Sequence, residues 1–292
     1  MANTIREALL TATSGLTGSD SPQLDAELLL AHSLRKSREY LRTHPEALLE
    51  PAVEAGFRSL IDRRQAGEPV AYLLGYREFW DISVEVNRDV LIPRPETELL
   101  VEAVLELPDS DSSKSVLDLG TGSGVIALAL AKSRSQWQVL GVDISEGAVD
   151  VASRNAKALA LDNVGFTRGD WCAHLDSNSF DIVVSNPPYV AGGDVHLQQG
   201  DLRFEPQIAL VSEEDGYADL FRIIDAAADV LKDGGWLLLE HGYEQHARLA
   251  EKLVSAGYKD VEVKKDLAGL ERVTLARWMG EMNLPGDTLG SA

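Results

Sequence analysis

Apolar residues recur at steps of three and four through the first part of the chain, which is the spacing of one face of an α-helix. The pattern predicts three helices, over 5–13, 25–34 and 53–67. Ser21 and Pro22 predict an N-cap and a first turn for the second of these helices, and Gly67 marks the end of the third. We therefore expect residues 1–74 to form a small helical domain.

Apolar residues then alternate with polar ones over 76–89, which predicts a short β-hairpin, and we expect 75–90 to be a connection built from it. Two prolines at the start of 91–107 predict a turn that leads into a helix. The polar stretch 108–114 predicts a surface connector. A second and larger domain is expected to span 91–292.

Compact apolar runs and helical periodicity alternate beyond this connector. Five runs have the continuous apolar character of strands buried on both faces: 115–120, 138–144, 164–170, 180–188 and 235–242. Their alternation with helices predicts an α/β fold with a doubly wound, Rossmann-like parallel sheet. Two further runs, 258–266 and 271–278, have only a short loop between them and should pair antiparallel at the sheet edge. Residues 280–292 are expected to be a loose tail.

Composition narrows the class of protein. Hydrophobic residues make up 45% of the chain and charged residues 25%, which is typical of soluble globular proteins. The longest apolar run, 125–131, is far shorter than a membrane span, and the first residues show no secretory signal. The single cysteine, Cys172, excludes an internal disulfide framework and fits a reducing compartment. We expect a cytoplasmic protein without membrane association.

Charge and ligand spacing disfavour two further classes of protein, nucleic-acid-binding proteins and metalloproteins. The net charge is −20, from 47 acidic and 27 basic side chains, so the average surface repels phosphate groups. Direct binding of nucleic acid is therefore not expected. The six histidines and one cysteine show no metal-ligand spacing, and no metal is expected.

A glycine-rich turn follows the first strand of the larger domain and leads into a helix predicted to start near Ser123. Its residues are Gly120, Thr121, Gly122, Ser123 and Gly124. Glycines allow the backbone to approach a ligand closely, and a helix N-terminus offers N–H groups to an anion such as a carboxylate. The turn lacks the Lys-Ser/Thr pair of a P-loop, but it also fits a relaxed dinucleotide fingerprint.

Two further residues stand at predicted strand ends. Asp143 ends the second strand of the sheet, where a carboxylate can accept hydrogen bonds from ribose hydroxyls in both NAD enzymes and methyltransferases. The alternative for Asp143 is a helix cap. Trp171 follows the third strand and could stack on an adenine, or it could be a core residue. Neither residue decides between cofactors.

The fourth strand ends in a stiff polar tetrapeptide: Asn186, Pro187, Pro188 and Tyr189. Ligands of open α/β sheets bind beyond the carboxyl ends of the strands where strand order reverses, so this corner should face the glycine-rich turn across one crevice. The Asn186 side-chain oxygen and the Pro187 carbonyl, held rigidly together, can accept both hydrogens of one NH₂ group. The alternative is a rigid turn without chemistry.

Such acceptors address a chemical problem, because an amide nitrogen is a poor nucleophile whose lone pair is delocalised into the carbonyl. Two acceptors aimed at its hydrogens favour the pyramidal form, in which the lone pair is free to attack. The Tyr189 ring can pack on the flat amide and align it with a methyl donor, and orientation of this kind supplies roughly 7–11 kcal/mol of a barrier. No strong general base is required.

These motifs, taken together, closely resemble the HemK/PrmC family, the peptide chain release factor glutamine N5-methyltransferases. The blocks that carry the resemblance are LDAELLLAH (24–32), GEPVAYLLGYREFW (67–80), LIPRPETE (91–98), DLGTGSGVIALALA (118–131), SNPPYV (185–190), HLQQGDLRFEP (196–206), LLLEHGY (237–243) and ERVTLAR (271–277). The NPPY tetrapeptide is also shared with DNA adenine amino-methyltransferases. The REFW, IPRPETE and RFEP blocks are more specific to the glutamine branch.

The resemblance implies a seven-stranded class I methyltransferase sheet with an antiparallel last strand, a helical N-terminal domain for substrate recognition, and S-adenosyl-L-methionine as cofactor. The implied substrate is the glutamine of the Gly-Gly-Gln motif in release factors. The implied cofactor contacts are Gly120, Thr121, Gly122, Ser123, Gly124, Asp143, Trp171 and Asn186. The implied catalytic and glutamine-binding residues are Asn186, Pro187, Pro188 and Tyr189. For Arg94, Glu96, Glu240 and His241, a role in the pocket and a purely structural role stay open.

Three other functions are considered. A DNA adenine methyltransferase would need a basic recognition surface, which the net charge disfavours. A glutamine methyltransferase of a ribosomal protein is closer, and only family likeness favours release factors over it. A binding module with an inactive methyltransferase fold is disfavoured by the intact NPPY tetrapeptide.

Overall fold

The computed structural model describes residues 3–108, 110–198 and 200–280. Apart from Gly280, the tail expected over 280–292 lies outside the described residues. Contacts divide the chain into two compact units. The first comprises the described parts of Met1–Arg77, Glu85–Arg88 and Val195–Glu205; the second comprises those of Glu78–Val84, Asp89–Asp194 and Pro206–Ala292.

The first unit is helical, as the apolar spacing predicts. Its helices are α1 (Ile5–Gly15), α2 (Pro22–Leu34), α3 (Arg38–Thr43), α4 (Pro51–Gln65) and α5 (Val70–Leu74). The short helices α3 and α5 were not predicted. Thr4 and Glu7 form a capping box that starts α1. Ser21 occupies the N-cap position of α2 but makes no capping bond, because its hydroxyl donates to Asp25 instead.

A buried carboxylate ties the segment Val195–Glu205 to this helical unit. Asp25 is 5% exposed and accepts hydrogen bonds from the Ser19 hydroxyl at 2.7 Å and from Arg64 at 2.8 Å. Arg64 also pairs with Asp201 at 3.0 Å, and Arg203 donates to the Ala66 carbonyl at 2.9 Å. These bonds explain why the segment groups with helices that precede it by more than a hundred residues.

The strands, in chain order, are β1 (Tyr76–Phe79), β2 (Ile82–Glu85), β3 (Ser115–Leu119), β4 (Gln138–Asp143), β5 (Val164–Arg168), β6 (Phe180–Ser185), β7 (Val190–Ala191), β8 (Val211–Ser212), β9 (Leu231–Glu240), β10 (Lys259–Lys265) and β11 (Glu271–Arg277). The remaining helices are α6 (Glu98–Leu105), α7 (Val125–Ser133), α8 (Glu146–Ala158), α9 (Glu213–Gly216), α10 (Ala218–Val230) and α11 (His246–Ser255). A 3₁₀ turn, Pro95–Thr97, precedes α6. Strands β1 and β2 form the predicted two-stranded hairpin.

One sheet of the described residues holds seven strands in the order β10-β11-β9-β6-β3-β4-β5. Strands β3, β4, β5, β6 and β9 run parallel, whereas β11 is antiparallel to both β9 and β10. This order confirms the predicted doubly wound α/β fold with its antiparallel last strand. The pair β10 and β11 forms one edge of the sheet, with β10 outermost.

The strand order reverses between β3 and β6, which lie side by side with Leu119 opposite Ser185. Both strands are buried in the middle of the sheet, and Leu117, Leu119 and Val183 are 0% exposed. Their carboxyl ends therefore open into one crevice, where the glycine-rich turn and Asn186 begin. Among the residues with described positions, each helix is too short or too polar to traverse a bilayer.

Candidate active site

The glycine-rich turn is shaped mainly by hydrogen bonds within the protein. The N–H groups of Gly120 and Thr121 both donate to the Val142 carbonyl, at 2.8 and 3.0 Å. The N–H of Gly122 donates to Asp143, and that of Gly124 donates to the Thr121 carbonyl. These four N–H groups hold the loop in place, so an anion at this turn would have to bind the N–H groups at the start of the following helix instead. The loop can still approach a ligand closely.

The helix after this turn begins later than predicted. Helix α7 starts at Val125 rather than near Ser123, and Gly124 precedes it with φ +85°. A Cβ on Gly124 would lie 3.0 to 3.2 Å from Phe166, Ala152 and Leu128. Gly124 is thus required by both its backbone angle and the close packing around it.

Beneath the turn lies Asp118, a residue whose role the sequence did not reveal. Its Oδ2 accepts hydrogen bonds from the Thr121 hydroxyl at 2.6 Å and from the Ala127 N–H at 3.3 Å. Its Oδ1 is buried and has no hydrogen-bond partner among the described residues. Burial raises the pKa of Asp118 to about 7, against the opposing effect of these two hydrogen bonds.

Asp143 joins β4 to the glycine-rich turn. Its two carboxylate oxygens accept from the N–H groups of Gly122 and Ser145, each at 2.9 Å. Burial raises the pKa of Asp143, while these bonds oppose the rise. The cap of α8 is Ser145, whose hydroxyl accepts from Ala148, so the side chain of Asp143 is not the cap. The N–H of Ile144 bonds to the same carboxylate, so one of the four lone pairs of Asp143 is left to accept a nucleoside hydroxyl.

A cavity of about 280 Å³ opens at this edge of the sheet. Its lining includes the predicted residues Gly120, Thr121, Gly122, Ser123, Asp143, Trp171, Asn186 and Pro188, together with Arg94 and Thr97. Among the described residues, the lining does not include Gly124, Pro187 or Tyr189, which the sequence also predicted for the site. Trp171 lies beside the turn, since a Cβ on Gly120 would come within 3.3 Å of its ring. The cavity thus offers a carboxylate for a ribose, an aromatic ring for a base and a backbone that a ligand can approach.

The NPPY tetrapeptide starts where β6 ends. Ser185 donates its hydroxyl to the Leu119 carbonyl at 2.6 Å, which fixes the ends of β6 and β3 together. The next residue, Asn186, is half-buried, and its Nδ2 donates to the Thr97 hydroxyl at 3.1 Å. Pro187 is buried. The structure therefore brings Asn186 and the glycine-rich turn to one cavity, as the strand ends predict.

Tyr189 is held at both its backbone and its ring. The side chain of Gln245 donates to the Tyr189 carbonyl at 3.3 Å, and the Tyr189 hydroxyl donates to Glu240 at 3.4 Å. Burial raises the pKa of the Tyr189 hydroxyl, and the nearby Glu240 carboxylate raises it further. Gln245 was not among the predicted residues, because nothing in its local sequence marks it.

The structure distinguishes the four residues for which the sequence left a role in the pocket open. Arg94 lines the cavity, whereas Glu96 is exposed. His241 is fully buried, and its two ring nitrogens lie 2.8 Å from the Thr274 hydroxyl and from the Gly242 carbonyl. Both nitrogens are thus engaged within the protein, which favours a structural role for His241. Glu240 is 1% exposed, its Oε2 has no hydrogen-bond partner in the described part of the chain, and burial raises its pKa to about 7.

Comparison with known proteins agrees with this architecture. The family model described as the PrmC N-terminal domain matches residues 7–75, and the one described as the methyltransferase small domain matches residues 95–202. The release factor glutamine methyltransferase of Shewanella oneidensis is 48% identical over 277 residues, covering 94% of this chain and 96% of that protein. That of Aliivibrio fischeri is 46% identical over 265 residues, covering 90% and 93%.

A solved structure adds evidence on the fold alone. The crystal structure of a methyltransferase from Pyrococcus furiosus matches with a TM-score of 0.53 and 20% identity, covering 76% of this chain and 98% of that chain.

Proposed function

Because the chain belongs to the release factor glutamine methyltransferase family, we propose that it methylates the side-chain amide nitrogen of the glutamine in the Gly-Gly-Gln motif of peptide chain release factors. The observation that carries this proposal is the shared cavity, in which Asn186 lies beside the glycine-rich turn and Asp143. A carboxamide acceptor and a nucleoside site at one crevice suit methyl transfer to an NH₂ group.

The protein is an S-adenosylmethionine-dependent methyltransferase. When bound, S-adenosylmethionine supplies an electrophilic methyl group on a positively charged sulfur. The residues proposed to hold it are Gly120, Thr121, Gly122, Ser123, Gly124, Asp143, Trp171 and Asn186. Asp143 would accept hydrogen bonds from the ribose hydroxyls, and Trp171 would stack on the adenine.

The residues proposed to act on the glutamine are those of the NPPY tetrapeptide. The Asn186 Oδ1 and the Pro187 carbonyl accept the two amide hydrogens, which favours the pyramidal nitrogen with its lone pair directed at the methyl carbon. Pro188 and the Tyr189 ring would pack against the side-chain amide and hold it in line with the methyl group. Methyl transfer would form a bond from the nitrogen to the methyl carbon and break the bond from that carbon to sulfur, and the nitrogen would then lose one proton to solvent.

The proposal extends to the organisation of the chain. Residues 1–74 would form a domain that recognises the release factor, and residues 91–292 would form the catalytic domain. Residues 75–90 would connect the two domains. The acidic net charge of −20 supports a protein partner rather than direct binding of nucleic acid. We place the reaction in the cytoplasm, where release factors act.

The test is incubation of the protein with labelled S-adenosylmethionine and purified release factor, followed by mass spectrometry of the methylated peptide. We expect one methyl group on the glutamine of the Gly-Gly-Gln motif and none on a release factor with asparagine at that position. Asn186→Ala should lower kcat by roughly 10²–10³, as loss of one oriented polar group does, while the Kd for the cofactor changes less. Label on another residue, or wild-type turnover in Asn186→Ala, would contradict the proposal.

A further inference from the structure

A chain of hydrogen bonds runs from a buried carboxylate to the side chain of Asn186. Burial raises the pKa of the Glu240 carboxyl, and a hydrogen bond with the Thr97 side chain opposes that rise. The Nδ2 of Asn186 donates to the same Thr97 hydroxyl oxygen at 3.1 Å. We call these three residues, Glu240, Thr97 and Asn186, the relay. The Tyr189 hydroxyl donates to Glu240 as well, at 3.4 Å.

Sheet register and burial keep the relay in place. Strands β6 and β9 are neighbours, with Ser185 opposite Leu239. Asn186 and Glu240 are the next residues in sequence, so both stand at the carboxyl ends of adjacent strands. Thr97 is 2% exposed and Glu240 is 1% exposed. Water therefore has little access to the two inner members of the relay, and their hydrogen bonds must be made within the protein.

The chemistry of the three groups fixes the direction of these bonds. The hydrogen bonds of Glu240 go to its Oε1, because its Oε2 has no hydrogen-bond partner among the described residues. A carboxyl that is ionised, or that carries its proton on Oε2, leaves Oε1 as an acceptor, so the single hydroxyl proton of Thr97 goes to Glu240. The Thr97 oxygen is then left with acceptor capacity alone, and it must receive a hydrogen from Asn186. The side-chain NH₂ of Asn186 consequently faces Thr97, and its Oδ1 faces the opposite way.

We propose that Glu240 and Thr97 are positioning residues that fix the Asn186 amide with its oxygen presented to the substrate. This inference rests on the proposed function, because a substrate NH₂ group needs acceptors rather than donors. With the opposite polarity, Thr97 would donate to the Asn186 oxygen. The Asn186 NH₂ would then face the substrate NH₂, and neither group could accept a hydrogen from the other.

Kinetics of matched threonine variants test the relay. Thr97→Val keeps the shape of the side chain and removes the hydroxyl, so Asn186 loses its fixed orientation. We expect kcat to fall about tenfold, because a small misplacement near the reacting atoms slows the reaction. The KM for the cofactor should stay near its wild-type value. Thr97→Ser restores the hydroxyl and should recover most of kcat. The control is Thr274→Val, which removes a hydroxyl that is also buried, 1% exposed, but is bonded to His241 and His246.

Thermal unfolding of the same variants separates positioning from stability. Thr97→Val and Thr274→Val should unfold at similarly lowered temperatures, but only the first should lose kcat. Equal kcat in both variants, or a Thr97→Ser variant as slow as Thr97→Val, would overturn the proposal. Glu240→Met provides a second test, because it removes the acceptor and leaves the Thr97 proton free to turn towards Asn186. Wild-type kcat in folded Glu240→Met would also overturn the proposal.

A final measurement needs no substrate. In the amide NMR spectrum, the side-chain NH₂ of Asn186, identified by its loss in Asn186→Ala, should exchange slowly with water in the wild-type protein and in Thr97→Ser. It should exchange faster in Thr97→Val. Equal exchange in all three proteins would refute the relay. If the wild-type protein fails to methylate a release factor, the proposed function fails, and this exchange measurement still decides the orientation of Asn186.

Discussion

Replacing Gly216 by alanine should damage both the stability and the turnover of the protein. Gly216 is buried at the end of α9, and its φ is +89°, a region that residues with a side chain rarely adopt. An alanine Cβ at this position would overlap the carbonyl oxygen of Tyr189 and lie 2.9 Å from its carbonyl carbon. The nearest atoms are backbone, so they cannot simply rotate away.

The expected loss combines two costs. A left-handed backbone angle costs alanine about 1–2 kcal/mol relative to glycine. Overpacking against a fixed neighbour costs about 1–3 kcal/mol. Gly216→Ala should therefore lower the free energy of unfolding by about 2–5 kcal/mol. Relief of the overlap moves the peptide that carries Tyr189, and a shift approaching 1 Å near the reacting groups lowers kcat by up to about 10².

Urea denaturation and steady-state kinetics measure these losses, with Gly269→Ala as the control. Gly269 has a similar φ of +79°, but a Cβ there would meet no atom within 4 Å. Gly269→Ala should lose only the backbone cost of about 1–2 kcal/mol and keep its kcat. Equal stability losses in the two variants, with wild-type kcat in Gly216→Ala, would refute the reasoning.

Three further predictions concern buried polar groups. Burial raises the pKa of Asp118 from 3.8 to about 7, so the folded protein retains a proton that the unfolded chain releases. The free energy of unfolding should therefore fall by a few kcal/mol in total as pH rises through this interval, and Asp118→Asn should remove that fall. Urea denaturation at several pH values measures it, and an equal fall in the variant would contradict the prediction. Tyr189→Phe loses the long hydrogen bond to Glu240 but keeps the ring, so its kcat should fall much less than the kcat of Tyr189→Ala. Equal losses of kcat in the two variants, measured by steady-state kinetics, would argue against a role for the ring. Arg64→Met leaves the buried Asp25 without its cation and should lower the free energy of unfolding by about 3 kcal/mol. Asp201→Asn changes a side chain that is 44% exposed, so it should lower the free energy of unfolding by less than about 1 kcal/mol. A larger loss for Asp201→Asn than for Arg64→Met in chemical denaturation would contradict this prediction.

Much of the fold and the centre of the candidate site follow from local patterns in the sequence. Alternating strand and helix periodicity predicts the doubly wound sheet, because a parallel strand is buried on both faces and must be apolar throughout. The carboxyl ends of parallel strands meet at one edge, so the sequence places Asn186 and the glycine-rich turn at one crevice. The amide chemistry of the NPPY tetrapeptide likewise depends only on which atoms a stiff Asn-Pro corner presents.

The tertiary structure alone decided which distant polar groups meet. Thr97 lies 89 positions before Asn186, and Arg64 lies 137 positions before Asp201, yet each pair is in hydrogen-bond contact. Local sequence cannot predict such pairs, because a hydrogen bond depends on the distance and direction between atoms that only the complete fold brings together. The same reason explains the bonds that shape the glycine-rich turn: the N–H groups of Gly120, Thr121 and Gly122 meet their partners in β4 only when the sheet has formed.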